Sequence, residues 1–288
     1  MKAVFVGSKN DINQILVHWL SQRIEMAGVI WTQSTDWQRS WKGRLAFARR
    51  RMRRYGVFKV IDETLFHLYY HARLNGPSEA ALKEQLVEPY WREHGDCEWR
   101  GDAIATKNIN SPEVLEFVEQ RQPDIAFAMC TNDYFGKRLR SLPRHGVFLW
   151  HEGFTPEYKG LYSPFWATSK LDFDRIGYTL LKMSDDLDAG EVYLQGKVKD
   201  VDPMRQTHDF MGHKAILDSL SDVEPFLREL EQGTAKPLDR SDAPSASYTY
   251  PGMSDFIRQR IRLRRHARMT PKQQQNGNSR QAAPAQAK

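Results

Sequence analysis

Lys2-Ala3-Val4-Phe5-Val6-Gly7 is an apolar run that stops at the polar Ser8-Lys9-Asn10-Asp11. A run of this length bounded by a turn reads as a buried strand. From Ile12 to Arg23 the period changes, and Ile12, Ile15, Leu16, Trp19 and Leu20 recur at helical spacing. Met26 to Trp31 returns to strand character. Strand, helix and strand in succession make a βαβ unit, whose crossover implies a parallel sheet. The expected fold class is therefore α/β: a Rossmann-like, mostly parallel twisted sheet with helices on both faces. A helical insertion and a helical C-terminal extension complete the expectation.

Outward from this unit, Asp36 to Asn75 is rich in arginine, then apolar and aromatic through Phe58, Val60, Ile61, Leu65, Phe66, Leu68, Tyr69 and Tyr70. It reads as two helices ended by Asn75-Gly76-Pro77, with Pro89 to Gly101 a polar connection. Ser111 and Pro112 open a short helix to Gln120. Ile125 to Met129, Val147 to His151, Gly177 to Met183 and Glu191 to Gln195 read as strands. Residues 153 to 163, with Gly153, Pro156, Gly160 and the adjoining Pro164, form a rigid loop after a strand end. Helical periodicity resumes over His208 to Leu220 and Val223 to Gln232. The predicted organisation is an α/β domain over 1–200 carrying a basic helical insertion at 36–75, a helical extension over 201–255, and a basic helix with a disordered tail over 256–288. Beyond Met269 the composition cannot bury enough apolar surface to order itself.

At 288 residues the chain is long enough for a sizeable core. The apolar runs, such as Ile125 to Cys130, are too short to cross a bilayer, and the N-terminus lacks the pattern of a signal peptide. Cys97 and Cys130 offer neither a disulfide framework nor a metal-ligand spacing, so no metal is expected and a reducing cytoplasm is the simple location. The net charge of +6 is unevenly placed. One block holds Arg39, Lys42, Arg44, Arg49, Arg50, Arg51, Arg53 and Arg54; a second holds Arg258, Arg260, Arg262, Arg264, Arg265 and Arg268. Such blocks suit phosphorylated substrates, nucleic acid or a membrane surface, and equally suit solvated helix faces.

In open α/β sheets ligands bind outside the carboxyl ends of the strands. Two polar clusters lie at predicted strand ends: Trp150-His151-Glu152, and Ser184-Asp185-Asp186-Leu187-Asp188-Ala189-Gly190. A histidine there can polarise a carbonyl or carry a proton, and a nearby carboxylate can orient it.

The stretch Arg144-His145-Gly146-Val147-Phe148-Leu149-Trp150-His151, continuing through Pro156-Glu157-Tyr158-Lys159-Gly160, resembles the signature of the folate-dependent formyltransferases. That family embraces glycinamide ribonucleotide transformylase, methionyl-tRNA formyltransferase and the sugar N-formyltransferases. Gly177-Tyr178-Thr179 and Asp186-Leu187-Asp188-Ala189-Gly190-Glu191-Val192 resemble its second signature. Lys107-Asn108-Ile109-Asn110-Ser111 and Pro123-Asp124 add to the likeness, which spans residues 105 to 195, extends to the first βαβ unit, and leaves out the insertion and the tail. The resemblance implies N10-formyltetrahydrofolate as donor and an amine as acceptor. His151 matches the catalytic His and Asp188 the catalytic Asp. Met183, Ser184, Asp185, Asp186 and Leu187 would line the pterin pocket, largely through backbone groups.

The chain departs from the family at Leu149, where the family has Asn. Residues i and i+2 of a strand share a face, so Leu149 belongs on the side of His151 and brings no hydrogen-bond donor. Loss of one oxyanion donor costs about 2.7–4 kcal/mol of transition-state stabilisation. Asn132, Thr131, Tyr162 and Ser163 are the candidate replacements, whereas Trp150 points the other way and an ionised Glu152 would repel the oxyanion. Three readings stay open: a formyltransferase with a relocated donor, a related one-carbon or acyl transferase, and a binding protein that has lost catalysis. A nucleic-acid or membrane-surface protein using both arginine blocks is a fourth. The helical period after Pro203 argues against a tRNA acceptor, because methionyl-tRNA formyltransferases carry a β-rich C-terminal domain. A small amine, such as an amino sugar on a nucleotide or lipid carrier, is the expected acceptor. The expected assembly is a homodimer, with Tyr248, Tyr250 and Pro251 serving a core, an acceptor wall or a dimer contact.

Overall fold

The computed structural model describes residues 1–33, 40–129, 134–185 and 190–269. Strand β1 (Lys2–Ser8), helix α1 (Asp11–Ser21) and β2 (Glu25–Thr32) form the opening unit, with β1 and β2 parallel. Asn10 caps α1, its side chain accepting from the Asn13 N–H. The insertion holds α2 (Trp41–Tyr55), α3 (Val57–Tyr70), α4 (Gly76–Leu82) and α5 (Glu88–His94). Then come β3 (Ala103–Thr106), α6 (Pro112–Arg121), β4 (Ile125–Met129), α7 (Lys137–Ser141) and β5 (Val147–His151). The chain continues through β6 (Lys159–Gly160), α8 (Ser163–Ser169), β7 (Gly177–Lys182) and β8 (Glu191–Lys197). Helices α9 (His208–Asp218) and α10 (Leu220–Glu231), the short β9 (Ser247–Tyr248) and α11 (Met253–Met269) complete it.

Among the described residues the main sheet has seven strands in the order β3-β2-β1-β4-β5-β7-β8. β3, β2, β1, β4 and β5 run parallel, and β7 is antiparallel to both β5 and β8. Alternation divides the core. Phe5, Phe127, Phe148 and Trp150 join α1, α9 and α10 on one face; Val4, Val6, Ala128 and Val147 join α6 and α7 on the other. Leu149 and Met183 both pack against the cluster on that second face. The buried Trp150 indole donates to Ser219 Oγ at 2.8 Å, tying β5 to the junction of α9 and α10.

Four local readings are corrected. Asn75-Gly76-Pro77 does not end the insertion's helices, and Pro89 to Gly101 is not all connection, since helix runs on to His94. A proline inside a helix lacks its N–H and clashes with the preceding turn. Here π-helical turns, His71–Asn75 and Lys83–Val87, precede Pro77 and Pro89 and widen the backbone, so each proline opens a new α segment. The stretch read as loop ends where α8 begins at Ser163, and Pro164 next to it occupies the helix's first turn, where no N–H is needed. The sequence reading also passed over β3, a four-residue edge strand. The predicted tail from residue 270, with Asp36, Arg39, Cys130, Thr131 and Asn132, lies outside the described residues.

Candidate active site at the end of strand β5

His151 ends β5, where Thr179 of β7 stands opposite it in the antiparallel pairing. Ser163, at the start of α8, places its Oγ 3.3 Å from His151 Nε2 and donates its own proton to the Tyr158 carbonyl at 2.6 Å. A hydroxyl already donating elsewhere can only accept from the imidazole. This assigns the Nε2–H tautomer to neutral His151, the form that presents a donor.

The loop between them is held close by its glycine. A Cβ at Gly153 would lie 2.4 Å from Ser163 Cβ and 2.8 Å from His151 Nε2. Thr179 then bolts the loop to the sheet. Its Oγ1 donates to the Gly153 carbonyl at 2.6 Å and accepts from the Thr155 N–H at 3.1 Å and from Gln195 Nε2 at 3.0 Å. Thr179 and Ser163 thus position the His151 region. Ser163 is one of the candidate donors named from sequence; Thr179 belongs to the segment Gly177-Tyr178-Thr179, where the sequence alone gives it no role.

Glu152 retains some exposed surface as a residue, yet its Oε2 is sealed from solvent without a hydrogen-bond partner. Gly212 of α9 makes room for it, because a Cβ there would sit 2.7 Å from that oxygen. Burial pushes the Glu152 carboxyl above its ordinary range; His213 opposes the shift, Asp209 reinforces it and His151 opposes it again. A neutral acid behind His151 avoids the repulsion that an ionised one would impose on a developing oxyanion.

The second cluster is placed differently. β7 runs antiparallel to β5, so its exit at Lys182 stands opposite Phe148. The Met183 N–H donates to the Val147 carbonyl at 2.8 Å, and Asp185 pairs with Arg140. The loop therefore leaves the sheet at the start of β5, about 10 Å along the strand from His151. Asp186, Leu187, Asp188 and Ala189 lie outside the described residues. The hairpin after them demands glycine: a Cβ at Gly190 would fall 1.5 Å from the Lys182 carbonyl oxygen. Of the other candidates, Tyr162 precedes Ser163 and lies 4.7 Å, ring to ring, from His208. Tyr248 stacks on Trp166 and Tyr158, which gives it a packing role. Among the described residues there is no cluster of side chains able to hold a metal ion.

No protein-family model matches the chain. A methionyl-tRNA formyltransferase of Thermotoga neapolitana is 32% identical over 145 residues, covering 50% of this chain and 45% of that protein. The chain thus spans about half the length of such relatives. Among solved structures, a sugar N-formyltransferase from Shewanella superposes with a TM-score of 0.51 at 10% identity, covering 89% of this chain and 78% of the other. Glycinamide ribonucleotide transformylase 1 from Symbiobacterium toebii superposes with a TM-score of 0.50 at 13% identity, covering 83% and 94%. At these identities the structures speak for the fold, and the sequence match speaks for the kinship.

Proposed function

We propose that this chain, a member of the formyltransferase family, transfers a formyl group from N10-formyltetrahydrofolate to the amine of a small acceptor. The observation that carries the reading is His151 at the carboxyl end of β5, with Ser163 Oγ accepting from its Nε2. The acceptor amine attacks the formyl carbon, forming a C–N bond and a tetrahedral oxyanion. His151 Nε2–H exchanges Ser163 Oγ for that oxygen as its acceptor. Collapse breaks the bond to N10, and the proton lost by the amine ends on N10 of the departing tetrahydrofolate. Asp188 serves to orient and charge-balance His151, and Met183 to Leu187 line the pterin pocket through their backbone. Ser163, whose proton is committed to the Tyr158 carbonyl, holds the imidazole and does not replace the donor missing at Leu149.

The relatives are named for methionyl-tRNA, but after Pro203 this chain forms α9 and α10, helices packed on the sheet. A small amine suits that arrangement better, and an amino sugar on a nucleotide or lipid carrier is the proposed class. The proposed setting is the cytoplasm. Leu149 supports a second reading, a formyltransferase-like binding protein without turnover. Incubation with N10-formyltetrahydrofolate and a panel of nucleotide-linked amino sugars and amino acids separates them. Release of tetrahydrofolate with formylation of one amine supports transfer; folate binding without turnover, unchanged in His151→Ala, supports the binding protein.

A further inference from the structure

Away from His151, a chamber of about 260 Å³ lies between α3, α8, the chain entering α9, and α11. Its volume falls just below the roughly 300–1,000 Å³ of ordinary small-molecule sites, enough for one moiety of a ligand. Phe66, Phe165 and Phe256 furnish an apolar wall. The formally charged residues lining it are Arg205, Arg260 and Arg264, with no carboxylate among the described lining residues. Arg260 is held in place by donating to the Met204 carbonyl at 3.0 Å, and Arg264 is exposed. His208 is more than nine-tenths buried in the same wall, and its Nε2 has no hydrogen-bond partner although Asp209 Oδ1 lies 3.3 Å away. An apolar wall beside arginines suits a ligand that is anionic at one end and apolar at the other.

The outer surface of the same helices points the same way. Along α3, Phe58, Ile61, Leu65 and Leu68 recur at helical spacing and are all exposed, Phe58 at 90%. Beside them α2 carries an exposed Trp41 at 70% and the exposed Arg44, Arg49, Arg50, Arg53 and Arg54. Apolar side chains next to arginines are the pattern of a surface that meets anionic amphiphiles. A second copy of this surface would set arginine against arginine, whereas phosphate headgroups neutralise them. Among the described residues no helix is long and apolar enough to cross a membrane.

We propose that the chamber binds a phosphate ester carried on an apolar chain, with the phosphate at Arg260 and Arg264 and the chain against Phe66, Phe165 and Phe256. The site stands whether or not His151 transfers a formyl group, because it is read by binding alone. Calorimetric titration of the full chain with dodecyl phosphate, kept below its micelle-forming concentration, is the test. Binding should weaken roughly tenfold or more in Arg264→Ala, as expected for a lost charge-assisted hydrogen bond. Inorganic phosphate and dodecanol should each bind at least about tenfold more weakly than the ester. Arg264 is exposed, so the variant should fold, and unchanged thermal melting verifies it. Co-sedimentation with phosphatidylcholine vesicles, with and without phosphatidic acid, then identifies the source. Pelleting that requires phosphatidic acid and weakens in Arg264→Ala assigns a lipid headgroup; binding of dodecyl phosphate alone assigns a free amphiphile. Failure to bind dodecyl phosphate, binding indifferent to both Arg260→Ala and Arg264→Ala, or inorganic phosphate binding as tightly as the ester overturns the proposal.

Discussion

Ser163 Oγ stands 3.3 Å from His151 Nε2 while its own proton is committed to the Tyr158 carbonyl. The hydroxyl therefore acts on the imidazole as an acceptor and holds it with Nε2–H facing the loop. Removing it in Ser163→Ala should lower kcat about tenfold with little change in KM, the size of one lost hydrogen bond of about 1–1.5 kcal/mol. Steady-state kinetics decide. A rise in KM alone would mean that Ser163 binds substrate instead of holding His151.

Glu152 makes stability depend on pH. Its folded-state pKa is raised above the ordinary 4.5 by burial, so the native state favours the protonated acid. That contribution is fully present below pH 4.5 and is lost as pH rises through the folded-state value. Glu152→Gln keeps the neutral shape without the proton to lose. Melting curves of the two proteins should agree in acid and separate as pH climbs, the glutamine variant being the more stable at neutral pH. Parallel curves throughout would show that the carboxyl is not held neutral.

Leu149 offers no hydrogen-bond donor, and it packs against the apolar cluster that Met183 also borders. Leu149→Asn restores a donor two residues from His151 on the same strand face. Turnover of the formyl donor should rise, by up to about 10²-fold, while stability falls by about 1–3 kcal/mol for a polar group placed among apolar ones. Slower turnover in a folded variant would mean that the chain's own donor is displaced by the asparagine.

Within the insertion, α2 is tied to α3 by the Arg51–Glu63 ion pair. Arg51 donates to Glu63 through Nε at 3.1 Å and Nη2 at 2.8 Å, with side-chain exposures of 13% and 8%. Arg51→Ala strands a buried carboxylate, which costs about 3–5 kcal/mol in general. Lys59, 3.9 Å from Glu63, should keep the loss near the lower end. Denaturant unfolding should show the double variant Arg51→Ala with Glu63→Gln to be more stable than Arg51→Ala alone.

Much of the sheet was legible because its strands are apolar runs bounded by turns: Lys2 to Gly7, Ile125 to Met129 and Val147 to His151 each declare themselves. The misreadings share a cause. Asn75-Gly76-Pro77 and Pro164 carry turn chemistry, but a preceding π-turn absorbs the first proline and a helix start tolerates the second. β3 is too short for a period to show. In the site, His151 was read from its place at a strand end. Its neighbourhood with Glu152, Asp209 and His213 was not, because α9 is brought there by packing from far along the chain. The available signal was His208-Asp209 and His213, polar residues set among Phe210, Met211, Ala215 and Ile216 of the helix. Ser163 and Thr179 act through short contacts that only the folded loop creates.

The most direct measurement is formyl transfer by the wild type and by His151→Ala, followed as tetrahydrofolate formed from N10-formyltetrahydrofolate in the presence of an accepted amine. With the imidazole donating to the oxyanion, the variant should fold, bind folate and turn over about 10²–10³-fold more slowly. Equal rates in the two proteins would contradict the account, since the reaction would then proceed without the group on which it rests.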